Sequence, residues 1–144
     1  MAPGINTYGK ALQRQARRSA GDSRLHLMVG MSPEQRRQQL QQALCLISWS
    51  ETEYQSLAML EALACGCPVI ARPRGWLRHG AVPGILVANN PREAIDWLDA
   101  LAHDSDLGAR LSAEGRTYVE QHHALAVVTR QWNQVLNQIR KPNS

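Results

Sequence analysis

Long apolar runs are missing from this chain of 144 residues: none approaches the roughly 20 residues that a membrane-spanning helix requires. Met1–Lys10 also lacks an apolar stretch, so no secretory leader is expected. Cysteine is sparse. Cys45, Cys65 and Cys67 make no disulfide framework, and a reducing, cytoplasmic setting is expected. Aromatic residues amount to 5%, with no phenylalanine, and Tyr8 alone lies among the N-terminal charges. That leaves no stacking platform for single strands, and no nucleic-acid partner is expected. Acidic groups are short in the same region. Residues 1–40 carry seven basic side chains against Asp22 and Glu34, whereas residues 41–144 carry nine basic against ten acidic. A basic N-terminal quarter suits a solvated helix face or an anionic partner such as phosphate or lipid, so a peripheral membrane contact stays open.

What is present suffices for one core. With 44% hydrophobic and 19% charged residues, the chain is expected to form a single domain over 1–144. Short apolar runs alternate with longer helical stretches. Strands are expected at Arg24–Val29, Leu44–Ser48, Pro68–Ala71 and Gly84–Val87, the second apolar throughout and so buried on both faces. Between them, Ser32 caps a helix reaching about Ala43, and a second helix runs from about Thr52 to Cys65, stopped by Gly66. Pro91–Ala102, Ser105–Gln121 and Ala124–Arg140 read as closing helices. The last carries Val127, Val128, Trp132, Val135, Leu136 and Ile139 as an apolar stripe that would cover the sheet or an oligomer partner. The tail Lys141–Ser144 should fray. This order argues an α/β, Rossmann-like parallel sheet of about four or more strands covered by helices.

Gly4–Ala11 nearly matches the phosphate-loop pattern G-x-x-x-x-G-K-[ST], but Ala11 stands where the magnesium-binding hydroxyl belongs and no strand precedes it. Residues 48–71 are far more informative. They read as strand, loop, helix, glycine turn and strand, with the loop at the C-terminal end of a parallel strand, where open α/β sheets bind ligands. A helix starting near Thr52–Tyr54 would aim free amides and its positive dipole end at that crevice, an anion site suited to pyrophosphate. Ser56 is small and hydroxylated, so a phosphate could come close. Glu53 lies at the loop–helix junction and Glu61 eight residues on, where a carboxylate can accept hydrogen bonds from a ribose diol. Ser50-x-x-Glu53 is equally the form of a capping box, and Glu61 is equally an exposed helix residue, though set among apolar neighbours.

The stretch resembles the signature of the family-4 retaining glycosyltransferases of GT-B fold, P-S-x-x-E-x-[FY]-[GS]-x-x-x-x-E-A-x-A-x-G-x-P-V-[IV]-A. Ser50, Glu53, Ser56, Glu61, Ala62, Ala64, Gly66, Pro68, Val69, Ile70 and Ala71 match it in order. Pro3–Thr7 is similar to the linker that leads into the donor-binding C-terminal domain of that family, giving a linker-like start over 1–8. The resemblance implies that a nucleotide-diphosphate sugar binds as substrate, with no metal or other cofactor. Glu53 would contact the transferring sugar, the amides near Gln55, Ser56 and Leu57 the diphosphate, and Glu61 the ribose hydroxyls. Trp49 stands for the usual proline and Gln55 for the aromatic residue. After the third strand comes the basic run Arg72-Pro73-Arg74, where the family tends to an acidic residue. Lys10, Arg14, Arg72 or Arg74 could stand in for the family's diphosphate-clamping basic pair. One domain is half of a GT-B enzyme, so the chain is expected to be inactive without an acceptor-binding domain. The alternative is a non-catalytic nucleotide-binding or protein-interaction module. Cys65-x-Cys67 and His122-His123 lack the further ligands of a metal site, and the histidines read as a surface hinge.

Overall fold

The computed structural model describes residues 30–140 together with Ala11, Arg14, His26 and Met28. The linker-like start over 1–8, most of the phosphate-loop lookalike, the tail Lys141–Ser144 and the expected strand over Arg24–Val29 (His26 and Met28 apart) lie outside the described residues. The chain divides into two compact units, Met1–Arg36 and Arg37–Ser144. In the first, Ser32 and Gln35 cap each other reciprocally: Ser32 Oγ accepts from the Gln35 amide at 3.2 Å and Gln35 Oε1 accepts from the Ser32 amide at 2.8 Å. Ser32 is thus the expected cap of α1 (Pro33–Gln42), and Gln35 closes the box.

The second unit is built on a parallel sheet of three strands among the described residues, β1 (Leu46–Ser48), β2 (Val69–Ala71) and β3 (Ile85–Val87), side by side in that order. Helix α2 (Leu57–Ala64) crosses from β1 to β2, and a 3₁₀ turn (Gly75–Arg78) lies on the way to β3. Helices α3 (Pro91–His103), α4 (Ser105–His122) and α5 (Leu125–Arg140) follow. In β2, Val69, Ile70 and Ala71 are all fully buried, as a strand covered on both faces requires. Alternation sends Val69 and Ala71 into one cluster with Met59, Leu63, Leu77 and Ile85, and Ile70 into another with Ala88, Ala94, Leu101 and Leu111. The α/β expectation holds, with helices on both faces.

Local chemistry sets the helix ends. The amide of Cys67 bonds the Ala62 carbonyl at 2.9 Å and that of Gly66 the Leu63 carbonyl at 2.9 Å, a Schellman stop with Gly66 at φ 76°. Asn90 Oδ1 accepts from the Glu93 amide at 3.0 Å to start α3, and Asp104 Oδ1 accepts from the Leu107 amide at 2.9 Å to start α4. The Glu93 carboxylate accepts in return from the Asn89 amide at 2.8 Å, which holds its pKa below the ordinary range. Leu63 packs where the backbones of Gly84 and Gly115 meet, so a methyl group on either glycine would overlap it.

Three expectations change. The β1 region is not buried on both faces: Leu44 and Ile47 are about half-exposed, because β1 is the edge of the sheet among the described residues. Of the two places expected for the apolar stripe of α5, the sheet falls away, since Trp132, Val135, Leu136 and Ile139 are exposed. His123 is no surface hinge. It ends α4 with its ring edge-on to Trp76 at 6.2 Å and 5.4 Å from Tyr118, and burial, then His122, lowers its pKa. Among the described residues no helix is long and apolar enough to cross a membrane.

Leu63→Ala should cost about 2–5 kcal/mol in urea unfolding, because the glycine backbones around it cannot collapse into the space. Because the folded pKa of His123 lies below its unfolded value, its contribution to stability is present above about pH 6.5. It is lost as pH falls through the folded pKa. The unfolding free energy should therefore drop more steeply on acidification in the wild type than in His123→Gln.

Candidate functional site

Trp49 to Gln55 carry the chain across the C-terminal end of β1, and α2 starts only at Leu57, not near Thr52. The 3₁₀ turn after β2 holds this segment out of the helix. The amide of Trp76 bonds the Tyr54 carbonyl at 2.9 Å, and Gly75, at φ 53°, lies so close beneath that a Cβ there would overlap the carbonyl oxygens of Glu53 and Tyr54. Ser50 Oγ donates to the Thr52 carbonyl at 3.0 Å and caps no helix, so the capping-box alternative for Glu53 falls away.

The N-cap is Ser56, with φ −81° and ψ 117°. Its hydroxyl makes no capping bond, and it is the one polar side chain among the buried described residues. The first helical bond runs from the Leu60 amide to the Ser56 carbonyl at 3.2 Å. The amides of Leu57, Ala58 and Met59 therefore precede the ladder and emerge at the positive end of the helix. Glu53 is half-buried in the loop, Gln55 is exposed beside it, and the Leu57 side chain is exposed. Glu61 lies one turn into α2 and is exposed there, set apart from Glu53 by a loop rather than by two turns of helix.

Beside this loop lies a group whose arrangement sequence reading missed. The Arg72 amide extends the β1–β2 ladder by bonding the Ser48 carbonyl at 3.3 Å. Its guanidinium sits 5.5 Å from the centre of the Trp49 ring and donates through Nη1 to Glu51. Arg74 Nη2 lies 3.8 Å from the other oxygen of Glu51. Both arginine side chains are largely covered, whereas Glu51 is 75% exposed. Arg72 Nε is buried with no acceptor. The available signal was register: parallel pairing of Ser48 with Ala71 brings the residues just after each strand together, here of opposite charge.

Cys67 is buried, and burial, then Cys45, pushes its thiol up to about 11. Arg116 Nη2 bonds the Cys65 carbonyl at 3.3 Å, placing a cation at the C-terminal end of α2. Among the described residues no group of three or more His, Cys, Asp or Glu side chains is placed to hold a metal ion.

Residues 4–104 match the family model described as Glycosyl transferases group 1. Among solved structures the chain is similar to the Anabaena protein HepE in complex with UDP-glucose, with a TM-score of 0.77 and 18% identity. It is also similar to the C-terminal domain of the group 1 family protein LpcC from Francisella tularensis, with a TM-score of 0.61 and 21% identity. The matches cover 94% and 85% of this chain but 38% and 66% of those chains. At these identities the likeness is one of fold, a GT-B Rossmann-like half. No curated protein sequence matches the chain.

Gly75→Ala should lift the Glu53–Tyr54 loop off the turn and lower stability by about 1–3 kcal/mol, for strain at positive φ plus overlap. Urea unfolding checks the magnitude. Amide shifts confined to residues 50–57 and 72–78 would show that the loop, and not the sheet, has moved.

Proposed function

The chain belongs to the group 1 glycosyl transferases, and from that premise we propose that it is the donor-binding half of a retaining glycosyltransferase. It takes a nucleotide-diphosphate sugar at the carboxyl ends of β1 and β2 and offers it to an acceptor held by a separate domain. The observation that carries the reading is the placement of the Glu53 loop and the α2 amides at one end of a parallel sheet, the place where open α/β folds bind nucleotides. The complex of HepE with UDP-glucose supports a nucleotide sugar as the ligand class.

Each residue then has a task. The amides from Gln55 to Leu57 and the positive end of α2 meet the diphosphate, and unbonded Ser56 adds a hydroxyl close to it. Glu61 accepts from the ribose diol. Glu53 touches the transferring sugar, where its carboxylate accepts hydrogen bonds from hydroxyls and stabilises positive charge growing at the anomeric carbon. As the glycosidic bond breaks, charge on the departing diphosphate is met by fixed amides. Metal takes no part in this scheme. The chain spans 38% of the length of HepE, so transfer is assigned to the assembly with an acceptor-binding domain.

A nucleoside diphosphate at a hundred times its Kd should stabilise the chain by about 2.7 kcal/mol, seen as a rise of several degrees in Tm. UDP, GDP and ADP, each with its sugar, identify the base. Glu61→Ala should weaken nucleoside diphosphate binding about tenfold or more. Glu53→Ala should leave that affinity intact and erase discrimination between a nucleoside diphosphate and its sugar. No Tm change with any of them at millimolar concentration would overturn the reading.

A further inference from the structure

We infer that Arg72 and Arg74 are the cations that meet the diphosphate, and that Glu51 is the internal anion the diphosphate replaces; this rests on the donor-binding reading above. Three observations converge. The first is position. Arg72 follows β2 directly, its amide bonded to Ser48 at the end of β1, and Arg74 precedes the Gly75 turn on which the Glu53–Tyr54 loop rests. The two cations thus stand at the same sheet end as the free amides of α2.

The second is charge. Two guanidinium groups share the one carboxylate of Glu51. A diphosphate carries more charge and more acceptor oxygens than a carboxylate, and guanidinium pairs with phosphate in a bidentate fork. The third is an imbalance in coverage and bonding. The Arg72 side chain is 18% exposed and lies over Trp49, with its buried Nε lacking an acceptor, whereas Glu51 is 75% exposed. The cations are held by the fold and the anion is not, so Glu51 is the member free to leave. An incoming diphosphate displaces it into water, where the already exposed carboxylate regains its hydration while the covered guanidinium groups keep an anionic partner.

Isothermal titration on the full chain tests this with inorganic pyrophosphate and with UDP, GDP and ADP. Wild type is compared with Glu51→Gln, Arg74→Met and, as a control on α3, Arg92→Gln. Glu51→Gln should tighten pyrophosphate and nucleoside diphosphate binding about threefold or more, since a competing anion is gone. Arg74→Met should weaken both about tenfold, the value of one charge-assisted contact, and flatten the dependence of affinity on salt. Arg92→Gln should change neither. Arg72→Met is read only if circular dichroism shows it folded, because Arg72 also packs on Trp49; Arg74→Met and Glu51→Gln decide without it. Nucleoside diphosphate binding that is equal in wild type, Glu51→Gln and Arg74→Met would overturn the assignment and leave the donor site standing. Pyrophosphate binding that follows the variants, with no nucleoside diphosphate bound at millimolar concentration, would support the arginine assignment and overturn the nucleotide reading. No binding of any probe to wild type would overturn both.

Discussion

Parallel pairing of β2 between β1 and β3 is the constraint from which the rest of the second unit follows. Three residues, Val69 to Ala71, are fully buried and bonded on both edges, and their side chains seed one aliphatic cluster on each face. Because parallel strands need a crossover, a helix must return the chain from β1 to β2. Its N-terminus then arrives at the end of the sheet where both strands finish. The placement of amides, loop carboxylates and arginines at one end of the sheet is thus a consequence of topology.

The crevice is also braced from its far side. The 3₁₀ turn after β2 touches the loop after β1 through Gly75 and Trp76, and the Trp76 ring reaches the aromatic group of Tyr118 and His123 at the end of α4. Helix α4 is in turn fixed near its middle by the close approach of Gly115 to Gly84. A chain of close contacts therefore runs from the last turn of α4 to the backbone of Glu53. The loop owes its shape to residues that are distant in sequence and to few of its own.

That distance explains what was legible in the sequence. The cap of α1 and the stop of α2 were, since Ser32 and Gly66 act on amides or carbonyls within a few residues of themselves. So was the α/β class, because the buried strand Val69–Ala71 is apolar without interruption. The start of α2 was not: Thr52 to Ser56 contains nothing that forbids a helix, and it is the Trp76 amide and the Gly75 turn that hold it open. The Glu51–Arg72 pair was hidden for the same reason, being a product of strand register across twenty-one positions. Ile47 reads as core and is about half-exposed on β1, the edge of the sheet among the described residues, because burial of such a strand depends on what pairs beyond it.

Trp49 lies under the guanidinium of Arg72 in the same crevice, and an indole is an optical as well as a packing group. A cation over its face shifts and quenches its emission, so anything that draws Arg72 away alters the light the protein gives off. Trp132 faces solvent on α5, and Trp97, on α3, is tied by its Nε1 to the Val87 carbonyl, whereas Trp76 stands by the same loop with its ring turned to Tyr118 and His123. The fold has set an indole against the Glu51–Arg72 pair, so a rearrangement of that pair can be followed in real time without a label.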